Sequence, residues 1–373
     1  MKSARGWRGL IGKVAWIGCG LLLVAGLMAV DPNWSGHIRR VDRMLLGAVK
    51  KVPKMADPAK RRRVQGLMRP LEPGLVLGYL YDPNATSQAL NQLRRLVPVL
   101  TGIAADWYTV DAQGNVSGQT QPQVMRFAMA RHLTTLAVVE QTTPSVLNSL
   151  LNNPTAESVS QYQMLTMVES DGFDGVNLDW EGIPAADRAH FSQYVGQLTK
   201  LFHQHGYYVT LSLPPEAHNQ PGSSWTGAYN YRVLGREADL LMIMAYDQHW
   251  SGGTPGPIAS TSWVRSVLSF AVSQVSPTKL ILGIPGYGYD WASEGAGAVA
   301  LTFTQAEQLK QQYAPKSSAN HFQYVQGGVL HSVWFENTRS FLGKVQLVSG
   351  FELRGIVLWR IGIEDPKIWD FLE

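Results

Sequence analysis

Cysteine is almost missing from this sequence, with Cys19 the single one in 373 residues. A disulfide framework within the chain and a zinc site built from cysteines are therefore excluded. The histidines lack the HExxH spacing of a common metal site, the serines lack a G-x-S-x-G elbow, and no glycine loop of the phosphate-binding kind is present. We expect neither a metal ion nor an organic cofactor.

Charge is also scarce, at 16% of residues, and it is unevenly placed. Residues 1–70 carry a net charge of +12 and residues 71–373 a net charge of −8, so the overall value of +4 hides an acidic main part. We therefore predict no nucleic-acid partner for that part. A hydrophobic content of 45% is enough for a large core and argues against general disorder.

An uncharged apolar run of 17 residues, residues 14–30, follows a basic flank at residues 1–13. It is either a cleaved signal peptide or a retained transmembrane anchor. Its length favours the anchor, and so does its end at Leu27-Met28-Ala29, which is a poor cleavage site. The positive flank predicts that the N-terminus stays in the cytoplasm. The main domain would then lie on the periplasmic or extracellular side of the inner membrane.

Residues 31–72 form a basic linker that includes Lys60-Arg61-Arg62-Arg63. The cluster is either a solvated segment or a contact with anionic lipid headgroups. The sequence gives no indication of an oligomeric state.

From residue 73 to the end, short β-rich runs alternate with segments of helical periodicity such as Ala189–His203. The eight candidate strands are Leu75–Leu80, Gly102–Trp107, Leu133–Val139, Gly175–Asp179, Tyr207–Leu213, Leu240–Ala245, Leu280–Ile284 and Gly355–Trp359. This alternation predicts an α/β fold, a (β/α)₈ TIM barrel over residues 73–373. A doubly wound open sheet is the alternative, weakened because no glycine fingerprint follows the first strand.

The interval between the seventh and eighth strands is long. It holds two β-like runs, Gln323–Gln326 and Val329–Phe335, on either side of Gly327-Gly328. This pattern is typical of a β-hairpin. We predict a small inserted subdomain between these two strands.

Residues 171–181 read DGFDGVNLDWE and carry the strongest chemical signal. In a strand, alternate side chains face opposite sides, so Asn177, Asp179 and Glu181 would share one face. Their apolar neighbours suit the helix-covered outside, which leaves the polar side chains pointing into the barrel and toward its C-terminal rim, where active sites of such barrels lie. Buried carboxylates cost stability unless they serve chemistry, although a satisfied structural ladder is the plainer alternative.

These groups suit acid catalysis on a sugar linkage. Glu181 can protonate a glycosidic oxygen, and the like charge of Asp179 would raise its pKa. No second carboxylate motif stands out as a nucleophile. That hints at substrate-assisted hydrolysis, in which an acetamido group of the substrate attacks.

The stretch from Asp174 to Glu181, DGVNLDWE, resembles the DGxDxDxE signature of family-18 glycoside hydrolases, with Asn177 where most members have Asp. Met244-Ala245-Tyr246-Asp247 resembles the M-x-Y-D of the sixth strand in that family, and Trp359 matches the tryptophan of its eighth strand. The S-x-G-G of the third strand is replaced by Val138-Val139-Glu140-Gln141. Within the family, the chain is most similar to the bacterial branch of spore-cortex-lytic N-acetylglucosaminidases, which shares Asn177.

The resemblance implies roles for individual residues. Glu181 would be the general acid and then the base, and Asp179 would orient and stabilise the acetamido group. Tyr246 would hydrogen-bond the acetamido oxygen, and Trp359 would stack on the sugar. Substrate-binding or supporting roles are expected for Asp174, Asn177 and Asp247, and Tyr79 either lines the floor of the site or belongs to the core.

Three tryptophans, Trp250, Trp291 and Trp334, are expected in loops above the rim, where together they would form a carbohydrate cleft. Asn177 is expected to donate a hydrogen bond to Asp179.

The sequence thus predicts a membrane-anchored hydrolase of β-linked N-acetylglucosamine polymers, with peptidoglycan first, then poly-N-acetylglucosamine and chitin fragments. Two alternatives stay open. One is a catalytically silent carbohydrate-binding module, and the other is a scaffold of cell-wall synthesis.

Overall fold

A computed structural model describes residues 74–81, 86–294 and 297–372. The predicted basic flank (1–13), anchor (14–30) and linker (31–72) lie outside the described residues, so they stay predictions. Among the residues that are described, no helix combines the length and the apolar character needed to cross a membrane.

Eight parallel strands close into a barrel, as predicted, because the first strand pairs with both the second and the last. In chain order they are β1 (Leu75–Leu80), β2 (Gly102–Val110), β4 (Thr134–Gln141), β5 (Gly175–Trp180), β6 (Tyr208–Leu213), β7 (Leu240–Ile243), β8 (Leu280–Pro285) and β13 (Gly355–Trp359). A short strand, β3 (Val116–Gly118), pairs antiparallel with β2. Closure excludes the open-sheet alternative.

Helices alternate with these strands and cover the outside of the barrel. They are α1 (Thr86–Leu96), α2 (Pro122–Ala130), α3 (Pro144–Leu151), α4 (Pro154–Asp171), α5 (Arg188–Gln204), α6 (Tyr231–Glu237), α7 (Thr261–Gln274) and α9 (Thr338–Gly350), and α8 (Phe303–Tyr313) belongs to the insertion described below.

Helix α4, which leads into β5, shows how the sequence sets these elements. Asn153 caps the first turn by accepting from the backbone N–H groups of Thr155 and Ala156, and Pro154 occupies the first helical position. Gly172 ends the helix with φ at +82°, a left-handed conformation that glycine adopts without strain. The chain therefore turns sharply into β5.

The predicted insertion lies between β8 and β13. It contains β9 (Tyr287–Ala292), β10 (Ala298–Thr302), α8 (Phe303–Tyr313), β11 (His321–Gln326) and β12 (Val329–Phe335). The strands form a separate antiparallel sheet in the order β10-β9-β12-β11. Gly327 and Gly328 join β11 to β12 with φ values of +59° and +85°, as a tight hairpin turn requires, so the hairpin prediction is confirmed.

The prediction that Trp250, Trp291 and Trp334 all lie in loops is wrong for two of them. Trp291 lies within β9 and is 4% exposed, and Trp334 lies within β12. Of the three, Trp250 alone lies in a loop. Tryptophan is common in strands. Trp291 packs edge to face on Tyr289, and Trp334 stacks on His321 within the same sheet.

Strand β5 has the two faces that its alternation predicts. Trp180 faces outward and packs on Phe191 and Tyr194 of α5, with ring centroids 6.1 and 4.9 Å away. Asn177 and Asp179 face the interior and are 0% and 5% exposed. The strand thus delivers a polar row to the upper part of the barrel.

Candidate active site

A cavity of about 920 Å³ opens at the C-terminal end of the barrel. Asp179 on β5 and Glu181, which directly follows β5, both line it. Tyr246, Asp247 and Trp359 line it as well. The structure therefore brings together five of the residues that the sequence marked.

Aromatic side chains from several loops and strands surround these polar groups. The lining includes Trp225, Trp250, Trp263, Tyr287, Tyr289 and Trp359. Trp225 and Trp250 are 51% and 58% exposed, an unusual state for such large apolar rings. Flat exposed rings beside a cleft are well suited to packing against the apolar faces of sugars.

Asn177 lies below the cavity in a small hydrogen-bond network. Its amide group donates to Thr210 Oγ1 at 3.0 Å, and its amide oxygen accepts from Ser212 Oγ at 2.8 Å. The expected hydrogen bond to Asp179 is therefore wrong: the neighbouring strand β6 supplies hydroxyl partners at the same level, and these occupy the amide. Asn177 supports the floor of the site and does not line the cavity.

Of the two roles that the sequence left open for Tyr79, the structure shows the core position, and Tyr79 is not among the residues that line the cavity. Its hydroxyl lies 2.7 Å from Ser212 Oγ, and its ring is 1% exposed. The ring meets Trp359 edge to face, with centroids 5.0 Å apart. Tyr79 is thus a buried residue that holds Trp359 in position from below.

Asp174 stands apart from the cavity, contrary to its expected supporting role there. It precedes β5, and its carboxylate accepts from the backbone N–H of Thr135 at 2.8 Å and from the hydroxyl of the same residue at 3.0 Å. Four residues of extended chain lie between it and Asp179, and the five steps span about 17 Å. Asp174 ties β4 to β5 at the opposite end of the barrel.

Asp247 follows Tyr246 with φ at +57°, which few residues other than glycine adopt readily and which Asp tolerates. Its carboxylate accepts from the hydroxyls of Tyr287 and Tyr289, and the second of these bonds is 3.2 Å long. The insertion therefore contributes directly to the site, because both tyrosines belong to β9.

The electrostatics of the site favour protonated carboxylic acids. Burial raises the pKa of Glu181 to about 7, and the charges of Glu140 and Asp247 add to the effect. Burial also raises the pKa of Asp179 well above its usual range, as does the charge of Glu181. An acid with a pKa near 7 can both give and take a proton at neutral pH.

Tyr246 keeps its proton under the same conditions. Burial, followed by the charges of Tyr79 and Asp179, raises its phenol pKa well above the ordinary value. Its hydroxyl is therefore a neutral hydrogen-bond donor at the edge of the cavity.

Two further carboxyl groups near Asp179 and Glu181 were given no role in the site by the sequence analysis, Asp106 on β2 and Glu140 on β4. Glu140 pairs in register with Asp179 on the adjacent strand. Asp106 is 6% exposed, and burial and the charge of Glu140 raise its pKa to about 7. Strand alternation could have found Asp106, because Ala104 and Asp106 share the inward face.

Among the described residues, no group of three or more His, Cys, Asp or Glu side chains is placed to hold a metal ion. The absence of a metal or cofactor from the working protein stays a prediction.

Glu140→Gln should move the alkaline limb of the kcat/KM profile toward lower pH. The charge of Glu140 helps to raise the pKa of Glu181, so removing that charge lets Glu181 lose its proton at a lower pH. Activity at pH 8 should fall while activity at pH 5 is retained. Measuring kcat/KM on a soluble oligosaccharide over a series of pH values tests this. Glu237→Gln, an exposed carboxylate on α6, is the matched control, and an unchanged limb in Glu140→Gln would contradict the assigned coupling.

Comparisons with known proteins identify the family of this chain. The sequence profile of glycosyl hydrolases family 18 matches residues 105–364. The putative sporulation-specific glycosylase YdhD of Bacillus subtilis is 30% identical over 298 residues, covering 76% of this chain and 70% of that protein. The cortical fragment-lytic enzyme of the same organism is 26% identical over 307 residues, covering 78% and 71%.

Solved structures share the fold. The Bacillus cereus spore cortex-lytic enzyme SleL superposes with a TM-score of 0.73 at 24% identity, covering 82% of this chain and 75% of that one. A chitinase from Chromobacterium violaceum gives a TM-score of 0.69 at 26% identity, covering 80% and 98%.

The family profile spans most of the chain, from within β2 to just beyond β13. The two carboxylates that carry the family signature, Asp179 and Glu181, stand together in the cavity. The chain belongs to glycoside hydrolase family 18 and is a glycoside hydrolase acting on N-acetylglucosamine-containing polysaccharide.

Proposed function

We propose that the protein cleaves β-linked N-acetylglucosamine polymers by substrate-assisted hydrolysis with retention of configuration. The observation that carries the proposal is Glu181, a cavity-lining acid with a pKa of about 7, beside Asp179 and Tyr246 in the same cavity. One proton donor, one orienting carboxylate and one neutral hydroxyl donor are the groups that an acetamido nucleophile requires around it.

In the first step, protonated Glu181 gives its proton to the glycosidic oxygen as the bond to the anomeric carbon breaks. The carbonyl oxygen of the neighbouring acetamido group bonds to that carbon and closes an oxazolinium ring. Asp179 accepts a hydrogen bond from the acetamido N–H through a carboxyl oxygen and so orients the acetamido group. Tyr246 donates to the acetamido oxygen and holds it below the anomeric carbon.

In the second step, the Glu181 carboxylate takes a proton from a water molecule, and the resulting hydroxide equivalent opens the oxazolinium ring at the anomeric carbon. The acetamido group is restored and Glu181 is protonated again. Two successive displacements at one carbon retain the configuration. A pKa near 7 suits this double role, because the group must be an acid first and a base afterwards.

Trp359 forms the floor on which the reacting sugar would stack. Tyr79 fixes its ring from below, and the adjacent aromatic rings leave an open cleft with room for a polymer.

Peptidoglycan is the first polymer that we propose. Two relatives carry names that refer to the spore cortex or to fragments of it, and the predicted location lies outside the cytoplasmic membrane. Poly-N-acetylglucosamine and chitin fragments are the other candidates. A digest of all three polymers by the purified protein, read by mass spectrometry, tests the proposal. Release of saccharides with N-acetylglucosamine at the new reducing end supports it, and no cleavage of any of the three would refute it.

We also propose that residues 14–30 anchor the protein in the inner membrane, with the catalytic barrel on the periplasmic or extracellular side. The support is the uncharged run of 17 residues after a basic flank.

Deleting residues 1–72 should give a soluble, folded domain with unchanged kcat/KM, because the first barrel strand begins at Leu75. The full chain should remain with membranes after a carbonate wash. Fractionation followed by assay of both forms makes the measurement. A mature soluble protein whose N-terminus lies near residue 30 would instead support a cleaved signal peptide.

A further inference from the structure

One cationic side chain, Arg360, lines a cavity whose other charged lining groups, within the described ranges, are the carboxyls of Asp179, Glu181 and Asp247. Arg360 directly follows Trp359, the proposed sugar platform. A positive group at this place is not needed to bind a neutral N-acetylglucosamine chain, whose hydroxyl and amide groups carry no charge.

The guanidinium of Arg360 is positioned by an aromatic ring. It lies over the ring of Tyr81, 4.8 Å from the centroid, and the Tyr81 ring in turn lies 6.1 Å from that of Trp359. A cation held over an aromatic face keeps its N–H donors at the ring's edges and available to a ligand. The contact therefore orients Arg360 without using its hydrogen-bonding capacity.

The two acidic side chains near Arg360, Glu364 and Asp106, form no ion pair with it. Glu364, four residues along, accepts from the backbone N–H of Gly362 and from Trp369 Nε1. The charge of Arg360 lowers the pKa of Asp106, but burial and the charge of Glu140 raise it more, to about 7. Asp106 is therefore only partly ionised at neutral pH and does not neutralise Arg360. Within the part of the chain that the structure describes, no carboxylate lies within salt-bridge distance of Arg360.

We propose that Arg360 binds a carboxylate carried by the glycan and thereby selects an acidic N-acetylated polymer over a neutral one. The inference rests on the proposed function and narrows its substrate class. The guanidinium fork matches the two oxygens of a carboxylate. In peptidoglycan that carboxylate has two sources, the lactyl ether of muramic acid and the peptide stem.

Arg360→Gln in the full chain, purified in detergent, tests this against three substrates of similar length. They are a neutral chito-oligosaccharide, a peptide-free peptidoglycan strand with free lactyl carboxylates, and the same strand after its carboxylates have been converted to amides. We expect kcat/KM on the free-carboxylate strand to fall by about tenfold to a hundredfold, the range for a lost charged hydrogen-bond pair. On the two uncharged substrates it should change by less than about twofold.

Three further arms sharpen the result. Arg360→Lys keeps the charge and should retain part of the preference. Arg126→Gln, an exposed arginine on α2, is the control for a surface charge and should change nothing. In intact peptidoglycan the lactyl group is joined to the peptide, so its carboxylates belong to the peptide stem. If Arg360→Gln lowers kcat/KM on this substrate alone, Arg360 binds a stem carboxylate.

An equal loss on all three substrates would show a structural role for Arg360 and overturn the proposal. An unchanged kcat/KM on both the free-carboxylate strand and intact peptidoglycan would also overturn it. The same comparison by calorimetry in the Glu181→Gln background needs no turnover. If the wild-type protein cleaves none of the substrates, the proposed function fails. A weaker affinity for the amidated strand than for the free strand in that binding experiment would still support the role of Arg360, and equal affinities would refute it.

Discussion

Replacing Glu181 with glutamine should lower kcat by at least about a hundredfold while leaving the affinity for an oligosaccharide nearly unchanged. Glutamine keeps the size and polarity of the side chain and removes the proton that the leaving oxygen needs. Asp179, the neighbouring carboxyl in the cavity lining, cannot replace it, since Asp179 lies below the rim and binds the acetamido group in our mechanism. Initial rates and calorimetric binding on one N-acetylated oligomer measure both quantities.

Stability provides the control for this variant. The pKa of Glu181 in the folded protein, about 7, lies above its ordinary value of 4.5. The folded protein therefore binds this proton more tightly than the unfolded chain, and the group's contribution to stability declines as pH rises from about 4.5 through 7. Glu181→Gln should melt no lower than the wild type at pH 8. Near-normal turnover by a folded Glu181→Gln variant would show that the active site lies elsewhere.

Removing the acetyl groups of the substrate should have an effect at least as large. Without the carbonyl oxygen, nothing attacks the anomeric carbon in the first step, and the free amine carries a positive charge at neutral pH. Tyr246 then loses its acceptor. Fully deacetylated glucosamine oligomers should survive conditions in which N-acetylated oligomers of the same length are consumed, with kcat/KM lower by about a thousandfold or more, or at least about 4 kcal/mol.

The matched experiment uses one oligomer preparation, half of it chemically re-acetylated, so that chain length is held constant. A partially acetylated mixture should be cut only where the sugar on the non-reducing side of the broken bond carries an acetyl group, as sequencing of the products by mass spectrometry would show. Cleavage of both halves at equal rates would mean that the acetamido group is not the nucleophile.

Much of the barrel could be predicted because its signals are local. Each parallel strand is an apolar run of its own, and its bounds in the sequence differ from those in the structure by only a few residues. The hairpin of the insertion could be predicted in the same way, since Gly327-Gly328 marks the turn in the sequence itself. The inward face of β5 followed from alternation alone, with Trp180 and Asp179 on opposite sides.

The rest of the site depends on which strands become neighbours, and a single sequence does not show that. Glu140 matters because β4 lies in register with β5, and Asn177 binds Thr210 because β6 lies on the other side. Asp174 fits the family signature yet serves strand pairing at the far end of the barrel. No sequence motif marks Arg360. Its proposed role follows from its place in the cavity lining and from its contact with the ring of Tyr81.

The central claim is that the acetamido group of the substrate is the nucleophile, held by Asp179 and Tyr246, while Glu181 protonates the leaving oxygen. Proton NMR of the first-formed product from a β-linked N-acetylglucosamine oligomer, recorded before mutarotation, tests it most directly. Our account predicts that the new reducing end appears first as the β-anomer, and that a thiazoline mimic of the oxazolinium ring suppresses the signal at lower concentrations than N-acetylglucosamine does. Initial appearance of the α-anomer would contradict it, because inversion requires direct attack by water.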